Sequence, residues 1–87
     1  ISCYPNPFNP STTIRFTLDS SNDFNIKIFN LSGQEVFTKN NIPSNLGLNE
    51  YTWNGMNDKG NSLTSGIYFI TIEIDNRILM EKVTLLK

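Results

Sequence analysis

At 87 residues, with seven basic and eight acidic side chains and a formal net charge of -1, the chain is sized for one small domain. That balance argues against a general nucleic-acid or anionic-membrane binder, which would carry a basic surplus. No apolar run is long enough for a transmembrane helix, while 38% hydrophobic and 11% aromatic residues suffice for a small core. Ile1-Ser2-Cys3-Tyr4 reads as the middle of a longer polypeptide, and Cys3 as a small apolar residue in an edge strand. From Tyr4 to Ser11 the prolines Pro5, Pro7 and Pro10 each fix φ and remove a donor. The expected form is a stiff, extended lead-in that leaves Phe8 free to plug one end of the core.

Thr12 to Leu18 alternates, with Ile14, Phe16 and Leu18 on one face, as a half-buried strand does. After a polar turn at 19–23, Phe24 to Phe29 forms the next strand, with Phe24, Ile26 and Ile28 inward. Asn30-Leu31-Ser32-Gly33 reverses the chain, with a bulge expected at Gly33, and Glu35 to Lys39 returns as a short strand. Asn40 to Asn49 holds Pro43 and Gly47 and reads as a loop crossing between sheets. Glu50 to Trp53 then feeds what the pattern predicts to be a central β-hairpin, Trp53 to Ile74. Its connection is rich in turn residues: Asn54-Gly55, Asn57-Asp58 and Gly60-Asn61. Its return strand puts Tyr68, Ile70, Ile72 and Ile74 on one face and Phe69, Thr71 and Glu73 on the other. Gly66 is expected to need positive φ, or to pass too near a neighbour for a Cβ. Asp75-Asn76 makes a tight turn into a final strand, Arg77 to Leu86. There Ile78 and Met80 suit one register and Val83 and Leu85 the other, so a bulge near Glu81-Lys82 is predicted. No segment has three turns of helical period. About seven short antiparallel strands with almost no helix predict an all-β, immunoglobulin-like β-sandwich.

Little in the residues favours catalysis. The chain has no histidine and one cysteine, so the usual nucleophile–base pairs have no members. The carboxylates fall in turns or on solvent faces. The loop 54–61 offers oxygen ligands but a single carboxylate beside Lys59, so Asx turns account for it better than calcium. No catalytic, metal or cofactor site is expected.

The motifs are more specific than the composition. Tyr4-Pro5-Asn6-Pro7-Phe8-Asn9-Pro10-Ser11-Thr12-Thr13-Ile14 comes first, and Ile28-Phe29-Asn30-Leu31-Ser32-Gly33-Gln34-Glu35-Val36 follows. Then come Trp53-Asn54-Gly55, Gly60-Asn61, Ser65-Gly66-Ile67-Tyr68-Phe69 and the terminal Lys82-Val83-Thr84-Leu85-Leu86-Lys87. In this order they resemble the C-terminal sorting domain of type IX secretion cargo over essentially the whole chain, with a related immunoglobulin-like module in flagellar hook-capping proteins. Asn54 and Cys3 depart from the commoner Asp and aliphatic residues. The resemblance implies a non-catalytic label, residues 1–87, at the end of a longer secreted protein of a Gram-negative, Bacteroidetes-like bacterium. It would direct an N-terminal passenger through the periplasm and the outer membrane to the cell surface. The implied partners are the outer-membrane translocon and a sortase-like peptidase. The matching positions are Pro5, Asn6 and Pro7, then Gly66 and Tyr68, then Lys82, Val83, Leu85, Leu86 and Lys87. The final strand is expected to be the part that is read. Two other classes fit the residues: a retained structural or adhesive module, and a carbohydrate-binding module with Phe29, Phe37 and Phe69 as an aromatic platform, although cross-strand pairing accounts for those rings more simply.

Overall fold

The computed structural model describes all of residues 1–87. It contains seven strands: β1 (Ser2–Tyr4), β2 (Thr12–Leu18), β3 (Phe24–Asn30), β4 (Glu35–Ile42), β5 (Gly47–Trp53), β6 (Gly66–Ile74) and β7 (Arg77–Leu85). A three-stranded sheet in the order β1-β2-β5 packs on a four-stranded sheet in the order β4-β3-β6-β7, all pairs antiparallel. This is the expected immunoglobulin-like sandwich.

The period-two pattern sets the core. Ile14, Phe16 and Leu18 from β2 meet Phe24, Ile26 and Ile28 from β3 and Tyr68, Ile70, Ile72 and Ile74 from β6, all buried. Trp53, Phe8, Val83 and Leu85 complete one continuous cluster. Phe8 plugs the core end as its position among the prolines implied. Cys3 lies half-buried on the short edge strand β1, where burial and then the nearby Glu81 carboxylate push its thiol pKa up to about 11.

Three expectations are corrected. Trp53 to Ile74 is not a hairpin, because β5 pairs with β2 in one sheet whereas β6 pairs with β3 and β7 in the other. Residues 54–65 close on themselves instead. Met56 bridges Ser62, Leu63 N–H donates to the Gly55 carbonyl, and Asn57 Oδ1 accepts from the amides of Lys59 and Asn61. The turn residues thus build an Asx loop, docked on β4 through Asp58, that carries the chain from one sheet to the other. Second, β7 has no bulge, since its pairing with β6 runs unbroken from Gly66↔Leu85 to Ile74↔Arg77. The tight turn at Asp75, with φ 52°, sets that register, so Ile78 and Met80 lie on the outer face, 69% and 60% exposed. Third, the crossing between β4 and β5 is only residues 43–46, because β4 continues to Ile42 through a register shift opposite Phe24 and Ile26, and β5 already begins at Gly47. The left-handed position expected at Gly33 is present, with φ 84°, Gly33 N–H donating to the Asn30 carbonyl and Asn30 N–H to the Gln34 carbonyl; a separate register shift between Ile28 and Phe29 leaves Val36 unpaired.

Candidate functional site

The three motif groups meet at one end of the sandwich, where residues as far apart in sequence as Asn6 and Thr84, 78 positions, are hydrogen-bonded. The proline segment lies along the outer edge of β7. Asn6 Nδ2 donates to the Lys82 carbonyl at 3.1 Å, and Asn6 Oδ1 accepts from Thr84 N–H at 3.0 Å. Two residues on, Phe8 N–H donates to the Thr84 carbonyl at 2.9 Å and Leu86 N–H donates to the Phe8 carbonyl at 3.0 Å. Phe8 and Leu85 form a short parallel bridge. Pro5 and Pro7 have no N–H to offer, so the side chain of Asn6 supplies the donor and acceptor that a neighbouring strand's backbone would. Thr12, buried at the start of β2, ties the segment down by donating its Oγ1 hydrogen to the Pro5 carbonyl at 2.8 Å.

The other side of β7 is held by the second motif. Gly66 pairs with Leu85 and Tyr68 with Val83, while Lys87 N–H donates to Ser65 Oγ at 2.9 Å. Tyr68 is buried, with its hydroxyl donating to the Thr64 carbonyl at 2.7 Å. An aromatic line links the whole: Phe8 to Trp53 at 5.5 Å, then Trp53 to Tyr68 at 5.7 Å in an edge-to-face arrangement. The Trp53 indole N–H donates to the Met56 carbonyl, closing the mouth of the 54–65 loop.

The candidate residues therefore divide by exposure. Val83, Leu85 and Tyr68 face the core; Pro5, Asn6, Pro7, Lys82, Leu86 and Lys87 reach solvent. Gly66 has φ 159°, in a region that favours glycine, and a Cβ there would meet nothing within 4 Å. The close approach falls at Gly55 instead, where a Cβ would lie 3.2 Å from the Pro10 carbonyl oxygen and 3.6 Å from Phe8 and Leu85, at φ 73°. The sequence signalled Gly55 only as a turn residue, because Pro10 and Leu85 reach it through tertiary packing.

Phe29 and Phe69 are directly opposed across β3 and β6 and half-buried, and Phe37 packs against the core, so the three do not share one exposed platform. No three Cys, Asp or Glu side chains gather where they could hold a metal ion. The largest surface groove, about 530 Å³, lies between the β3–β4 turn and the 54–65 loop, lined mainly by polar residues such as Asn30, Gln34, Asn57 and Asp58, and of the candidate residues only Tyr68 borders it.

Residues 2–85 match the secretion system C-terminal sorting domain family, and the chain belongs to it. Among solved structures, PorZ is described as an essential bacterial surface component of the type-IX secretion system of Porphyromonas gingivalis. It is similar over 99% of this chain and 11% of its own, with 18% identity and a TM-score of 0.70. Truncated FlgD from Helicobacter pylori is similar over 95% of this chain and 64% of its own, with 22% identity and a TM-score of 0.64. The chain spans less than two thirds of either neighbour, and the likeness is one of fold. No curated protein matches the chain.

Proposed function

We propose that residues 1–87 are the closing, non-catalytic domain of a longer secreted protein, and that they direct an attached passenger across the outer membrane by type IX secretion to the cell surface. Membership of the sorting-domain family over residues 2–85 carries this reading. The likeness to a type-IX surface component supports the choice of pathway. The partners are the passenger, the outer-membrane translocon and a sortase-like peptidase.

The part that is read is the exposed end of the final strand, Arg77 to Lys87, which the rest of the sandwich holds in a presentable form. Lys82, Leu86 and Lys87 are exposed there, beside the proline segment. Their positive charge and apolar contact can steer and then hold a receptor. Val83, Leu85, Gly66 and Tyr68 keep that end in form. The test fuses residues 1–87 to a periplasmically exported fluorescent protein in a type IX-competent host. The parent fusion is expected outside the cell, whereas a folded Lys82→Ala, Lys87→Ala variant is expected to accumulate in the periplasm. Periplasmic retention of the parent would overturn the sorting role. Parental secretion of the folded double variant would overturn the assignment of the surface alone.

A further inference from the structure

Strand β7 is covered along only half of its outer edge. In an antiparallel pair, alternate residues turn both N–H and C=O toward the same side. Lys82, Thr84 and Leu86 turn theirs outward, and the Lys82 carbonyl, both groups of Thr84 and the Leu86 N–H are spent on Asn6 and Phe8. By the same alternation Ile78 and Met80 turn theirs outward too, and β7 has no strand neighbour other than β6. The opposite edge of this sheet is guarded differently: Asp58 N–H donates to the Val36 carbonyl, and Thr38 N–H donates to Asp58 Oδ1. The open half of β7 also carries two exposed apolar side chains, Ile78 and Met80. An uncovered edge of this kind is a template for strand addition.

We propose that a second copy of the chain adds there, β7 against β7, antiparallel about Leu79. Charge and register select this occupant. Centred on Leu79, Ile78 of one copy faces Met80 of the other, and the reverse, as the two hydrogen-bonded pairs, giving four backbone bonds. Arg77 then faces Glu81 of the second copy, twice by symmetry, and opposite charges directly across a ladder are favourable. A shift of the centre to Met80 brings Leu79 against Glu81 and Ile78 against Lys82, whose carbonyl already holds Asn6. A shift to Ile78 sets Arg77 against Leu79. Only the Leu79 centre satisfies both the backbone and the charges while leaving the Asn6–Phe8 segment in place. The ladder is short, so the association belongs to the weak, transient class.

Sedimentation velocity of the 87-residue chain over a concentration series tests this. The expected result is a reversible, concentration-dependent rise from monomer toward dimer. Arg77→Glu and Glu81→Arg should each weaken association by about tenfold or more, and the double reversal should restore it, which a purely structural effect would not do. Ile78→Lys, at an exposed position, should also abolish it. The proposal is overturned by a monomer throughout the series or by a dimer indifferent to Arg77→Glu and Ile78→Lys. A double reversal that stays monomeric while folded would overturn it too, as would a dimer that does not dissociate on dilution, which would indicate strand exchange.

Discussion

Asn6 does with one side chain amide what a strand does with its backbone, and its two bonds to Lys82 and Thr84 make it the most informative residue of the proline motif. Asn6→Ala should lower stability by about 1–2 kcal/mol, each exposed hydrogen bond contributing roughly 0.5–1.5 kcal/mol. Urea unfolding measures the loss, and amide exchange at Thr84 should speed up. The sequence flagged the Pro-Asn-Pro motif only through resemblance, because nothing local reveals that its amide bonds a strand 78 positions away. Gly55 and Gly66 differ in the same way. Gly55→Ala meets both positive φ and the Pro10 carbonyl, so it should cost more than Gly66→Ala, where the backbone conformation alone resists a side chain. The ranking of their melting temperatures checks this. Cys3 gives a pH prediction. Its raised pKa means that the folded chain holds the thiol proton more tightly than the unfolded chain does, so stability falls as pH climbs from about 9 toward about 11. In the folded chain at pH 8, alkylation by iodoacetamide should be slow, with about 100-fold less thiolate than a free cysteine, and should accelerate on unfolding in urea.

At the scale of elements, strands were legible and partners were not. The alternation in β2, β3 and β6 reports which face is buried, because each strand's own side chains record it. Which strand lies beside which is a long-range choice, and the turn-rich stretch 54–65 imitates a hairpin connection while closing its own loop. β7 misled for another reason: Ile78 and Met80 break the inside-outside pattern, as residues with a role on the surface do. The convergence of the three motifs was invisible in the sequence, where they stand as separate punctuation. It has a measurable consequence. Removing Val83 to Lys87 takes away Val83 and Leu85, both buried, together with the partners of Asn6 and Phe8 at Thr84 and Leu86. The truncated chain should lose its cooperative thermal transition, whereas Lys82→Ala, Lys87→Ala should retain it within a few degrees, since exposed charges contribute little to stability.

For the molecule as a whole, stability rests on one cluster of fourteen buried apolar residues between the sheets. Ile70 is fully buried at its centre, so Ile70→Ala should cost about 2–5 kcal/mol, a large part of the 5–15 kcal/mol typical of a domain. Chemical denaturation of the variant measures it. The parallel contact between Phe8 and Leu85 bears on how the molecule answers to force. A pull that draws Ile1 and Lys87 apart slides the Asn6–Phe8 segment and β7 past each other along their length. The bonds at Lys82, Thr84 and Leu86 then share the load in shear instead of parting one after another like a zip. Held by its two ends in a single-molecule stretching experiment, the domain should resist until that patch shears and then yield in one step, and Asn6→Ala should lower the rupture force.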